Sequence, residues 1–359
     1  MRTAIVSDLH LGTMSGSDIT RLRPVRERLA DALADADRVV VLGDLLELRE
    51  LPAATVLDTA APTLAALGAA TAGRELVLVP GNHDHELVAP ALGRARLAGQ
   101  PLELAGEYSA ERGDLAQRVA ALLPDTEIRI AYPGVWLRDD VYATHGHYLD
   151  LHLTIPRLEC LAASLLTRLL GRGGVAPSGP DDYEAALAPL YAFAYSVVQG
   201  SSSRPRGGHL SRTVWSTANL GGNAIAGVAL GRIAIPTAVA ALNRVGLGPF
   251  RADISGQELR RAGLRAIGEV VASLAIKARH VIFGHTHRAG PLPGEVEGWW
   301  LPSGTRLTNT GSWLLEPIFT GDGNPAGPYW PGRVTLLDET GPPRLASVLD
   351  GLDLPALAG

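Results

Sequence analysis

Five short segments carry residues that could do metal-assisted chemistry: Asp8 with His10, Asp44, Asn82 with His83, His145, and His285 with His287. Leaving His83 aside, they offer two carboxylates, one amide and four imidazoles. A mixed oxygen and nitrogen set of this kind suits two divalent ions of the Mn, Fe or Zn type, whereas all-oxygen sets favour Mg or Ca and closed structural Zn sites draw on thiolates. Any one of these histidines alone reads as a satisfied polar residue beside a turn, where Asn, Asp and Gly also belong for backbone reasons. Seven such groups in five segments, each following an apolar run, read instead as a metal site. His83, next to Asn82, could hydrogen-bond a bound anion or move a proton. Asp84 reads as structural. His85, His147 and His152 have no assigned role, with surface and substrate-facing positions equally open.

The elements that must position these groups are short and apolar. Residues 3–7, 38–42 and 75–79 read as buried strands, and Asp8-Leu9-His10, Gly43-Asp44 and Pro80-Gly81-Asn82-His83 follow them directly. Between them the spacing predicts helices over 22–36, with Val25, Leu29 and Leu33 on one face, and over 62–72. That order places each polar group at the carboxyl end of a strand, where open α/β sheets hold their sites. Residues 86–126 mix polar and apolar positions with helical stretches. Segments 127–131, 135–138 and 141–144 alternate as strands, with turns at Pro133-Gly134 and Asp139-Asp140, and the last runs into His145. Another strand at 280–283 leads to Gly284-His285-Thr286-His287, and strands over 307–315 and 333–338 close the chain.

With 359 residues, 46% hydrophobic and 19% charged, the chain can bury a large core and is not a disordered polymer. One cysteine, Cys160, excludes an intrachain disulfide framework. The first strand begins at once, which predicts no signal peptide and a cytoplasmic location. Charge is uneven: residues 151–279 hold 14 basic and 7 acidic side chains, a net of +7, and the remainder carries a net of −12. The difference marks 151–279 as a segment with a task apart from the rest of the chain.

Ser7-Asp8-Leu9-His10, Gly43-Asp44, Gly81-Asn82-His83-Asp84, His145-Gly146-His147 and Gly284-His285-Thr286-His287 resemble, in order, the five blocks of the calcineurin-like metallophosphoesterases. The resemblance implies an α/β fold, a four-layer αββα sandwich of two mixed sheets flanked by helices, with two metals at the strand ends; it makes residues 1–150 and 280–350 the core and 151–279 a mainly helical cap inserted between the fourth and fifth blocks. It implies that Asp8, His10 and His287 hold one ion, that Asn82, His145 and His285 hold the other, and that Asp44 bridges them. It makes Asp44 and His83 the catalytic residues, with a metal-bridging hydroxide attacking phosphorus in line and His83 stabilising charge or protonating the leaving oxygen. The expected cofactors are two divalent ions, Mn first, with Fe or Zn as alternatives. Glu47 stands where many members carry an Asp that orients the catalytic histidine. The Gly-Asp-x-x-Glu form resembles the branch containing the UDP-2,3-diacylglucosamine pyrophosphohydrolases, which typically carries Arg at the position of His83.

The insertion bears on the substrate. It has amphipathic helix candidates over 158–170 and 183–198, a basic loop over 200–208, and a charge-free run over 213–231. That run contains Asn219 and Asn223 and is followed by Arg232 and Pro236, which argues against a membrane span. A buried helical pair is one reading. The other is a cap that admits an acyl chain and its phosphate, or rests on an anionic bilayer, with Arg157, Arg204 and Arg206 as phosphate contacts. The leading expectation is a hydrolase of phosphate ester or pyrophosphate bonds on a lipid-linked or amphiphilic substrate, cytoplasmic and peripheral on the inner membrane face. The alternatives are a soluble nucleotide phosphodiesterase or polyphosphatase, and a metal-free scaffold on the same fold. The acidic body, without a basic and aromatic stripe, argues against nucleic acid as a partner.

Overall fold

The three apolar runs near the N-terminus form β1 (Thr3–Val6), β2 (Arg38–Val41) and β3 (Glu75–Leu78), parallel neighbours in which Val6 pairs with Val41 and Val41 with Leu78. Their side chains alternate between two cores, as a strand's period of two requires. Ala4, Val6, Val39, Val41, Leu76 and Leu78 enter one buried cluster, while Ile5, Val40, Leu42, Val77 and Val79 enter another. The first cluster is completed by α1 (Arg23–Ala34), through Val25, Leu29 and Leu33, and by α2 (Ala53–Thr71). The second is completed by Val135, Leu137, Val141, Ala143 and Ile282. These come from β6 (Gly134–Arg138), β7 (Val141–Thr144) and β8 (His280–Phe283) of a second sheet. Two sheets therefore face each other across one apolar layer, and helices cover the outer face of the first.

The computed structural model describes residues 1–153, 177–200, 256–320 and 323–354, together with Arg244. The first sheet is mixed, in the order β11-β10-β1-β2-β3-β5-β4, where β4 is Gly106–Tyr108, β5 Glu127–Tyr132, β10 Arg333–Leu337 and β11 Arg344–Ser347. The second, β6-β7-β8-β9 with β9 at Arg306–Asn309, pairs β6 antiparallel to β7 and runs β7, β8 and β9 parallel. Two mixed sheets flanked by helices are the architecture expected from the sequence.

Four elements differ from expectation. Helix α2 starts at Ala53 and runs through Pro62, although an internal proline costs a helical hydrogen bond. Its first turns bury Val56, Leu57 and Ala60 against the core, which outweighs that loss. By length and composition α2 could cross a membrane, but its apolar side packs within this core cluster. Strand β9 ends at Asn309 rather than continuing to 315, because the Asn309 side chain accepts the Gly311 N–H and turns the chain where Gly311 has a φ of +75°. The short edge strands β4 and β11 are additional.

The chain divides into two units, residues 1–147, 194–200 and 277–359 in one, and 148–193 and 201–276 in the other. Helix α3 (Ala89–Leu97) and helix α4 (Leu115–Ala120) lie in the first. In the second, the described residues are mostly helical, from α5 (Pro180–Gly200), whose last seven residues belong to the first unit, and α6 (Gly256–Ser273). Arg157, Arg204, Arg206, the helix expected over 158–170 and the charge-free run over 213–231 lie outside the described residues.

Candidate metal centre

Because β1, β2 and β3 are parallel and in register, Asp8, Asp44 and Asn82 leave the same edge of the first sheet. Strands β7 and β8 are likewise parallel, with Ala143 opposite Ile282, and release His145 and His285 side by side. The seven polar groups meet there. On one side, Asp8 Oδ1 lies 3.4 Å from His287 Nε2, which lies 3.1 Å from His10 Nε2. On the other, Asn82 Oδ1 lies 3.2 Å from His145 Nε2 and 3.1 Å from His285 Nδ1. Asp44 Oδ2 stands between the two groups, 3.5 Å from His10 Nε2 and 3.2 Å from His145 Nε2.

These spacings fit bound cations. Two ligand atoms about 2.0–2.2 Å from a shared ion stand about 3.0–3.5 Å from each other. The tautomers agree as well. His145 Nδ1 must donate to the Leu42 carbonyl at 2.9 Å and His10 Nδ1 to the Glu47 carboxylate at 2.9 Å, so in each neutral ring Nε2 presents its lone pair to the centre. Asp8 Oδ1 is buried there and accepts no hydrogen bond. Lone pairs facing lone pairs in a buried space call for positive charge. The chain supplies some of it as protons: against the effect of burial, Asp44 and Asp8 raise His145 to about 9, and Asp8 with Glu316 raises His287 to about 10. A cation would displace those protons, so metal affinity should weaken as pH falls.

The backbone is arranged for this convergence. Asp8, His10, Asp44, His285 and His287 have φ values of +54°, +45°, +51°, +66° and +58°, in the left-handed region that side chains seldom adopt. Each such residue costs about 1–3 kcal/mol, and such strain clusters at functional sites. Here it is held by hydrogen bonds between ligand loops, from Asp8 N to Gly43 O at 3.0 Å, His10 N to Asp44 O at 2.8 Å and Gly284 N to His145 O at 2.9 Å. A side chain at Gly43 would overlap the His145 ring, and one at Gly81 the Asp44 carboxylate, so both positions require glycine. Asp84 ties the loops together by accepting from Gly81 N at 2.7 Å and Leu45 N at 2.7 Å, the structural role expected of it; burial and the neighbouring Asp44 charge push it up to about 6.

His83 sits at the rim. Its backbone N–H donates to Asp44 Oδ1 at 2.8 Å, and its Nδ1 meets Glu47 Oε1 at 2.8 Å. Glu47 thus serves two imidazoles, His10 and His83, which stack edge to face 4.6 Å apart. Burial would raise the Glu47 carboxyl, but the two imidazoles hold it well below the ordinary carboxylate range, and Glu47 with Asp44 raises His83 above its usual value. Glu47→Gln keeps one acceptor oxygen but turns an amide N–H₂ toward the second ring. The expected result is a fall of about 10–100-fold in metal affinity or turnover, measured by metal titration alongside steady-state kinetics; unchanged values for both would remove the orienting role.

The sequence had left the Glu47 contacts open and had not indicated Glu316, whose carboxylate lies 3.9 Å from His287 Nδ1, or Asn309, whose Nδ2 donates to Gly284 O at 3.0 Å and Thr286 Oγ1 at 2.9 Å. Asn309 shares the ligands' signature, a polar residue at a strand end; Glu316 has no such signal. His85 and His147 are buried against Tyr132, with His147 Nε2 3.1 Å from its hydroxyl, so neither has the surface role left open for it. His152 pairs with the Tyr183 hydroxyl at 2.6 Å in the second unit.

A family model described as calcineurin-like phosphoesterase matches residues 1–191. No curated protein matches the chain. Among solved structures, it is similar to a cold-active protein-tyrosine phosphatase of a psychrophilic Shewanella species, at 14% identity over 94% of this chain and 75% of that one, with a TM-score of 0.28. It is also similar to a dimetal phosphatase from Danio rerio, at 13% identity over 97% and 99% of the two chains, with a TM-score of 0.35.

Proposed function

The chain belongs to the calcineurin-like phosphoesterase family, and from that premise we propose that it is a dinuclear-metal hydrolase of phosphate ester or pyrophosphate bonds in which each converging side chain has a defined task. Asp8, His10 and His287 would hold one ion and Asn82, His145 and His285 the other, with Asp44 Oδ2 placed between the two ligand groups. The observation that carries this reading is the placement of Asp44 Oδ2 within 3.5 Å of both ligand groups, with the ring lone pairs turned inward. When bound, two divalent ions activate water and offset charge on a phosphoryl group. The mixed donor set suits Mn, with Fe or Zn as alternatives. His83, held at Nδ1 by Glu47 and favoured as the imidazolium, has Nε2–H left to donate to a phosphoryl oxygen or to the departing oxygen.

For the substrate we propose a lipid-linked or amphiphilic phosphate or pyrophosphate whose apolar part is taken up by the inserted segment, with the enzyme in the cytoplasm and peripheral on the inner membrane face. Support comes from the net charge of +7 over 151–279, from the charge-free run within it, and from the Gly-Asp-x-x-Glu form of the second block. Arg157, Arg204 and Arg206 are the proposed phosphate contacts. A Mn-supplemented screen over phosphomonoesters, phosphodiesters, nucleotide-sugars and lipid pyrophosphates tests it. The proposal expects the highest kcat/KM on a substrate bearing an acyl chain; equal or better turnover of cyclic or dinucleoside polyphosphates without detergent would replace it with a nucleotide phosphodiesterase.

A further inference from the structure

The second sheet ends on β9, whose outer edge is lined by residues 290–301. Gly290, three residues past His287, exchanges backbone hydrogen bonds with Asn309 at 3.0 and 2.7 Å, and Leu307 N donates to Trp299 O at 2.8 Å near the other end of the strand. The segment therefore follows the sheet edge away from the metal-ligand loop. Arg288 holds it in place: Nη1 donates to Glu295 Oε2 at 3.2 Å, and the guanidinium lies 5.7 Å from the centre of the Trp299 ring. Successive side chains of an extended segment point opposite ways. Trp299 turns in and is 2% exposed, while Trp300 turns out and is 58% exposed; Val296, whose carbonyl accepts from Trp299 N, is 65% exposed. Between Gly290 and Gly304 the only charged residues are Glu295, engaged with Arg288, and Glu297. Cations gather beside the exposed indole. The Arg306 guanidinium lies 4.4 Å from the centre of the Trp300 ring, and Arg306 N donates to Arg279 O at 2.9 Å. Arg279 is exposed, as is Lys277, the one lysine of the chain, two residues before it. None of these three cations enters an ion pair with a described residue, whereas the Asp140 carboxylate nearby is engaged by Arg138 at 2.5 Å. Burial and the charges of Arg306, Arg279 and Arg138 push the His280 imidazole below its usual value against the pull of Asp140, as a concentration of positive charge requires.

We propose that this edge rests on an anionic phospholipid bilayer, with Trp300 and Val296 entering the headgroup boundary and Lys277, Arg279 and Arg306 meeting lipid phosphates. An indole suits that boundary because its ring is apolar and its N–H is polar. The cations beside it complement the negative surface, and the loop that carries Val296 and Trp300 brings one exposed carboxylate, Glu297, into the interface. The inference rests on the peripheral membrane location proposed above and supplies its docking surface; it does not depend on which bond is hydrolysed.

The test is co-sedimentation of the full-length protein with vesicles of phosphatidylcholine alone, and of phosphatidylcholine and phosphatidylglycerol in equal parts. The wild type is expected to prefer the mixed vesicles, with an affinity that falls as salt rises. Arg279→Gln and Arg306→Gln should each lower that affinity about 5-fold. Trp300→Ala should lower it by a similar factor and Trp300→Phe should keep most of it, with melting temperature and bound metal unchanged throughout. Wild-type protein that binds neither kind of vesicle would overturn both the docking surface and the peripheral location. Binding that survives Trp300→Ala combined with Arg279→Gln and Arg306→Gln would overturn this surface alone and leave the location to the inserted segment. Binding of polyglutamate instead of vesicles, lost in the same variants, would assign the edge to an acidic protein partner and overturn the proposal.

Discussion

Asp44→Asn is expected to reduce phosphoester turnover to background, a fall beyond the roughly 10²–10⁴-fold associated with losing a single general acid or base. The reason is the division of labour between the two oxygens. Oδ1 is committed to the His83 backbone N–H, and Oδ2 alone lies between the two ligand groups. An asparagine that keeps the first contact must turn its N–H₂ into the second position, placing a neutral donor where a charged acceptor stood. The fold should survive, because asparagine matches Asp44 in size and the contacts by which Asp84 ties Gly81 and Leu45 together do not use the Asp44 side chain. Turnover by the variant at the wild-type rate, in protein with an unchanged circular dichroism spectrum and melting temperature, would reject the bridging role.

His83→Ala should lower kcat by about 10²–10⁴-fold while the metal content stays at the wild-type level. The imidazole is oriented by Glu47 and sits on the open side of the centre, where a leaving oxygen would be reached. A competing role is built into the geometry, because His10, Asp44 and His83 lie close enough together to hold an ion themselves. Metal stoichiometry separates the two. A variant that loses metal along with activity would make His83 a ligand, whereas one that keeps its metal and loses turnover places it at the substrate.

The centre was legible in the sequence because every one of its seven groups follows an apolar strand, and strands β1, β2, β3, β7 and β8 are short, buried and bounded by glycine or charged turns. Periodicity found the strands, and their parallel order brought Asp8, Asp44 and Asn82 to one edge. The left-handed backbone at Asp8, His10, Asp44, His285 and His287 could not be read in this way, since none is a glycine and the strain is imposed by contacts between loops distant in sequence. Glu47 was visible as a residue, but its grip on both His10 and His83 depends on how two turns 36 residues apart meet. Glu316 lies in the irregular stretch between β9 and the short helix Pro317–Thr320, where neither helical nor strand period marks a side chain's direction. Pro62 suggested a helix start, and the burial of Val56, Leu57 and Ala60 placed that start nine residues earlier. The edge strands β4 and β11, with few buried side chains, carried too little alternation to show.

The claim on which the rest depends is that Asp8, His10, Asp44, Asn82, His145, His285 and His287 together hold two cations. Elemental analysis of protein offered Mn, Fe and Zn, then freed of loosely bound ions, tests it most directly. Roughly two transition-metal ions per chain are expected, falling in Asp44→Asn. Protein that retains none of the three metals would contradict it.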